Sequence, residues 1–380
     1  MTAPDAELPG RVRDWMFNAA LPLWAQAGVD RVDGGFVEQL DFQGRDAGAP
    51  GKRTRVTCRQ IYVFSHAALL GQASGIDLAR HGLAFLDRAW DADRGYWARL
   101  QDRRGAVVDA TPDLYDLAFG LFALGWWMRA SGEADRLDQA LLAVDFIERE
   151  MRGPIAAFKH ALPAEGPRQQ NPHMHLLEAS LILSEATGHP RFALLADELV
   201  DAFKTHFFDG TNLAEFFAED WSRTAAPEGR IVEPGHMFEW AWILAQHQRL
   251  SGDDHTATIR PLVEFAETFG VDPATQVTAQ QILDDGSPLD SGSRSWPNTE
   301  RIKAWVAMGE IFGAPEASAR MCASARLLLD RYLATTPPGL WTDHFDAQGR
   351  AISTNVPAST LYHVFLAFAE LLRFSETRPR

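Results

Sequence analysis

Cysteine is nearly absent: the 380 residues contain two, Cys58 and Cys322, far apart and in no metal-binding spacing. No disulfide framework is implied, and a reducing cytoplasm is the compartment this usage fits. Long apolar runs are missing too. No stretch reaches the roughly 18 consecutive apolar residues of a membrane span. The N-terminus, MTAPDAELPG, lacks the basic-then-apolar pattern of a secretory signal. Positive charge is outnumbered, with 36 Lys and Arg against 51 Asp and Glu and a formal net charge of −15. Such a surface repels nucleic acid and anionic lipid, so neither is an expected partner. The chain also lacks a glycine-rich phosphate loop, a dinucleotide fingerprint and an HExxH helix. No nucleotide cofactor and no metal is expected from it.

What the chain has is apolar content, 46% of residues, and 12 tryptophans. Apolar residues recur at spacings of three and four, punctuated by Gly, Pro and Asp. The pattern predicts helices near 8–27, 55–74, 76–90, 113–131, 135–151, 171–188, 190–207, 234–252, 255–270, 296–313, 315–335 and 356–374. These twelve fall into six successive pairs. The second helix of each pair is apolar all round and rich in Ala and Gly, as in LYDLAFGLFALGWWMRA; the first is amphipathic, as in RFALLADELVDAFKTHF. An all-apolar helix is buried, and an amphipathic one faces water on one side.

A marker near the start of each buried helix repeats along the chain: Arg59, Tyr115, His175, His236, Trp296 and His363. The gaps are 56, 60, 61, 60 and 67 residues. A period near 60 marks a repeated two-helix unit. The expected fold is all-α, a closed (α/α)6 barrel of twelve helices forming one catalytic domain over residues 1–380. Segments 34–45, 95–105, 213–222 and 339–350 mix aromatics with Asp/Gly turn signals. They are expected as short β-hairpins rimming one end.

In such a ring the six markers meet at one mouth. Helix N-termini point amide donors and positive dipole ends into it, where negative charge on a substrate oxygen is stabilised. Three of the markers are histidines, and neutral imidazole moves protons near pH 7. Glu239 follows His236 by one turn, and Glu178 follows His175 by three residues; each is placed to orient its imidazole or bind a hydroxyl. Arg59 offers forked donors. Trp296 offers an apolar face for a sugar. Asn171 reads as a helix N-cap that also faces substrate. Tyr115 and Asp116 open their helix and are candidates for substrate contact.

The segments TCRQIYVFS, NPHMHLLEA, PGHMFEWAWIL, WPNTE and YHVF, in that order, resemble the N-acylglucosamine 2-epimerase superfamily over about residues 10–375. The resemblance implies an (α/α)6 barrel and proton transfer at C1/C2 of an open-chain sugar through a cis-enediol(ate). By motif position it places the catalytic histidines at His236 and His363, with Arg59, Asn171, His175 and Glu239 in support. It makes His363 the main base and acid at carbon. His236 serves ring opening and proton transfer at oxygen, or the opposite face in an epimerase; the two roles are exchangeable. The GHMFEW form resembles the monosaccharide branches, with an aldose–ketose isomerase of the D-mannose/D-fructose type first and an N-acylglucosamine 2-epimerase second. Arg53, Arg55 and Arg294 leave a phosphorylated sugar open, and a homodimer stays open too.

Two rival readings remain. An inverting glycoside hydrolase needs two carboxylates about 6.5–9.5 Å apart, for which Glu239 with Asp116 or Asp343 is the candidate pair. A sugar-binding protein without chemistry keeps the tryptophans and arginine but has no use for several histidines at equivalent helix starts.

Overall fold

The computed structural model describes residues 3–377, with side chains from residue 7. Helix α1 runs Ala3–Asp14, continues through a π-helical stretch Trp15–Ala20 and ends with Leu21–Ala27. The next eleven are α2 Thr54–Leu69, α3 Gly75–Leu86, α4 Leu114–Ser131, α5 Leu137–Glu150, α6 Asn171–Thr187, α7 Pro190–Ala202, α8 Pro234–Ser251, α9 Thr256–Gly270, α10 Ser295–Ile311, α11 Ala317–Leu327 and α12 Thr360–Thr377. Twelve helices therefore stand among the described residues, as the periodicity predicts.

The even-numbered helices form the inner ring. Each packs on the next, α2 on α4, α4 on α6, α6 on α8, α8 on α10 and α10 on α12, and α12 returns to α2. Inner helices are buried on every face because two neighbours and an outer helix surround each one. In α10 every residue from Ser295 to Gly309 is buried, polar ones included. Trp24, Trp97, Trp240 and Trp341 are fully buried. Each contributes roughly 4–6 kcal/mol of gross apolar burial. Trp24 of α1 stacks on Trp341 at 5.0 Å and donates to the Gly339 carbonyl, which closes the first repeat onto the last.

The strands at the rim pair differently from the sequence expectation. Local hairpins exist, such as Leu100–Asp102 with Val107–Asp109 and Gln281–Leu283 with Pro288–Asp290. Many pairings instead join strands far apart in sequence: Gly51–Arg53 with Leu100–Asp102, Arg168–Gln169 with Phe216–Phe217, Ile231–Val232 with Gln281–Leu283, and Ser293–Arg294 with His344–Phe345. Gln39–Leu40 pairs with Val356–Pro357 and seals the ring. A period-two pattern marks a strand but not its partner; the partner is whichever strand the ring places alongside. No helix among the described residues is long and apolar enough to cross a membrane.

Candidate active site

The starts of the inner helices surround one cavity of about 330 Å³. It is lined by Arg59, Tyr115, Asn171, His175, His236, Glu239, Trp296 and His363, with Gln280, Glu215, Glu233 and Arg294 from the rim. Residues spread over some 300 positions thus meet because each occupies the first turns of its helix.

Helix α8 begins at Pro234, whose missing N–H suits the first helical position. Gly235 follows. A Cβ there would lie 2.6 Å from the Trp296 ring, so only glycine lets the indole reach the helix start. The Trp296 ring then sits 5.0 Å from the His236 ring and 5.7 Å from the His363 ring, centroid to centroid.

The two imidazoles have opposite surroundings. His236 Nδ1 is 2.9 Å from Glu215 Oε2 and 3.4 Å from Glu233 Oε2. Burial disfavours its charge, but the two carboxylates outweigh burial and push it up to about 10. His236 is an imidazolium at neutral pH. His363 Nδ1 is 2.8 Å from Glu300 Oε1. Burial, reinforced by Arg59 and Lys303, pushes His363 well below the ordinary histidine range. A neutral His363 that donates its Nδ1 proton to Glu300 keeps a lone pair on Nε2.

Beneath the cavity lies a buried ionic cluster. Lys303 Nζ is 2.5 Å from Glu300 Oε2 and 3.9 Å from Glu239 Oε1. Burial works against the ammonium, and Glu300, Glu239 and Glu178 keep it charged. Burial and Glu300 drive Glu239 well above the carboxylate range, with Lys303 opposing, and its Oε1 has no hydrogen-bond partner. Two groups here have metal-ligating geometry, His175–Glu178–Glu239 and Glu239–Glu300–His363. The Lys303 ammonium interacts with the carboxylates of both groups, Glu178, Glu239 and Glu300.

Arg59 donates to the Tyr115 hydroxyl at 2.7 Å and lies over Phe119 at 4.3 Å. His175 Nδ1 is 3.3 Å from Glu178, and burial lowers it to about 4 despite that carboxylate. Two predicted substrate contacts fall outside the cavity. Asp116 is fully buried and accepts from the Arg55 backbone N–H at 2.8 Å and from its guanidinium at 2.9 and 3.1 Å. It ties α2 to α4. Glu178 accepts from the Tyr362 hydroxyl at 2.6 Å and lines a separate cavity with Trp126 and Trp242. Asn171 is not a cap: it is the first residue of α6, and its Oδ1 is buried without a partner. Gln170 is the flanking residue; its amide donates to Glu215 and its carbonyl accepts from Trp240.

Glu215, Glu233, Glu300 and Lys303 were not among the sequence candidates. Glu300 and Lys303 had a signal, since they are an i,i+3 pair on a helix that is buried all round and so must be paired. Glu215 had none, because its loop meets α8 only in the folded ring.

The N-acylglucosamine 2-epimerase (GlcNAc 2-epimerase) family description matches residues 34–367. A Rhizobium meliloti (strain 1021) protein named mannose-6-phosphate isomerase is 35% identical over 95% of this chain and 96% of its own length. A Thermobifida fusca D-mannose isomerase is 29% identical over 79% of this chain and 81% of its own. Among solved structures, the cellobiose 2-epimerase of Spirochaeta thermophila DSM 6192 superposes with a TM-score of 0.89 at 22% identity, covering 99% of this chain and 98% of that one. The chain is an enzyme acting on carbohydrates and belongs to the N-acylglucosamine 2-epimerase family.

Proposed function

We propose that the protein is an aldose–ketose isomerase of the D-mannose/D-fructose type, moving a proton between C2 and C1 of the open-chain sugar through a cis-enediol(ate). The observation that carries this reading is the split between the two imidazoles beside Trp296. Paired titratable groups driven apart mark an acid and a base. His363, neutral, takes the proton alpha to the carbonyl and returns it to the neighbouring carbon. His236, charged, donates to the ring or carbonyl oxygen during opening and enolisation. Arg59 and the amides of the surrounding helix starts stabilise the enediolate oxygen. Glu300 and Lys303 hold His363 in orientation.

A 2-epimerase is the second reading, supported by the epimerase among the structural neighbours. It needs two groups that alternate at carbon on opposite faces. A histidine held at about 10 gives up its proton reluctantly and makes a poor partner in that exchange. Hydrolysis is disfavoured because Asp343 is bound by Arg294, Ser295 and Thr360, and Asp116 by Arg55. The test is incubation with D-mannose in D2O, followed by NMR. Fructose with deuterium at C1 supports isomerisation; glucose labelled at C2 supports the epimerase; absence of exchange with every hexose and acylated hexosamine overturns both.

A further inference from the structure

The two mannose isomerases among the relatives differ in whether their names carry a phosphate. Resting on the isomerase reading, we infer that this site takes a phosphate-free sugar, and that Asp343 enforces the choice by neutralising Arg294.

Arg294 lines the cavity, yet its Nε and Nη2 both lie on Asp343 Oδ2, at 3.0 and 2.9 Å. Asp343 cannot swing away: its Oδ1 accepts from Ser295 at 2.7 Å and Thr360 at 2.9 Å, and it is buried. Three other arginines nearby are taken as well. Arg55, in the adjoining open vestibule, is held by Asp116, and Arg99 by Asp109. Arg53 sits on Glu38. Only Arg59 among the lining cations lacks a carboxylate partner, and it is packed over Phe119 and bound to the Tyr115 hydroxyl. Three amides at or just before helix starts are occupied too: Arg55 N by Asp116, Tyr115 N by Asp113 and Glu233 N by Glu215.

A phosphate dianion carries only acceptors and would meet the Glu215 and Glu233 carboxylates on the wall. Beside one unfilled donor, Arg59 Nε, two unfilled acceptors ask for the opposite. Asn171 Oδ1 and Gln280 Oε1 are buried acceptors without donors, beside the cavity both residues line. A buried acceptor left unsatisfied is costly, and a sugar hydroxyl supplies the missing proton.

The experiment compares initial rates on D-mannose and D-mannose 6-phosphate. Like charges brought together cost several kcal/mol, so kcat/KM should favour mannose by at least about 100-fold. Asp343→Asn releases Arg294 and should narrow that ratio at least about tenfold, mainly through KM of the phosphorylated sugar. Equal or better turnover of the phosphorylated sugar overturns the inference. A preference for mannose that Asp343→Asn leaves unchanged overturns the role of Asp343. Should the variant not fold, mannose 6-phosphate tested as an inhibitor of wild-type mannose turnover decides: an inhibition constant below the KM for mannose overturns the inference. Absence of turnover and of deuterium exchange with either sugar sinks the isomerase reading instead.

Discussion

His236 and His363 rest against one indole, with ring centroids 5.0 and 5.7 Å from that of Trp296, although 127 positions separate them in the chain. Their charges differ because their carboxylates differ. Glu215 and Glu233 face His236. Glu300 faces His363 but spends its charge on Lys303.

Removing His363, the proposed base at carbon, should be the most damaging change. His363→Asn is expected to lower kcat/KM by about 10²–10⁴-fold, the range for a positioned general base, with the circular dichroism spectrum unchanged. Deuterium incorporation at C1 and C2 is the direct readout. Retention of near-wild-type exchange would mean another group abstracts the proton.

The pH profile should report His236. Its proton is held up to about 10, so activity that needs the imidazolium falls as pH rises through that value. Glu215→Gln removes one opposing charge 2.9 Å away and should move the alkaline limb down by about 1–3 units. The same raised value has a stability consequence. The folded state binds this proton more tightly than the unfolded chain, so its contribution is fully present below about 6.5 and is lost as pH rises through about 10. Thermal melts across that window measure it. A limb that Glu215→Gln does not shift would assign it to another group.

Lys303 is fully buried among three glutamates. Lys303→Met leaves them without their cation. Breaking a buried pair by deleting one partner costs about 3–5 kcal/mol, which urea unfolding should detect. A loss under about 1 kcal/mol would show that the carboxylates simply take up protons.

Gly235→Ala would push a methyl group against the Trp296 ring, 2.6 Å away. Overpacking of this kind costs about 1–3 kcal/mol. Because Trp296 contacts both histidines, kcat/KM should fall further than stability alone explains. Unchanged kinetics would remove Trp296 from the site.

Much of this was legible in the chain. The near-60-residue spacing of Arg59, Tyr115, His175, His236, Trp296 and His363 exposed the repeat, because helices of constant length must return to the same end of the barrel. That placed each marker in the opening turns of its inner helix. Asp116 and Glu178 were candidates for standing beside such markers and yet lie off the cavity, because a helix start presents some side chains to the mouth and turns others toward its neighbours.

Helix lengths, the alternation of buried and outer helices and the identities of the imidazoles are properties of local pattern, and local pattern is written in the sequence. Which carboxylate stands beside which imidazole is not. Glu215 reaches His236 from a rim loop, and Glu300 reaches His363 from the neighbouring helix. Electrostatic interaction falls with distance through space, not along the chain, so the different surroundings of the two imidazoles were decided only when the ring closed.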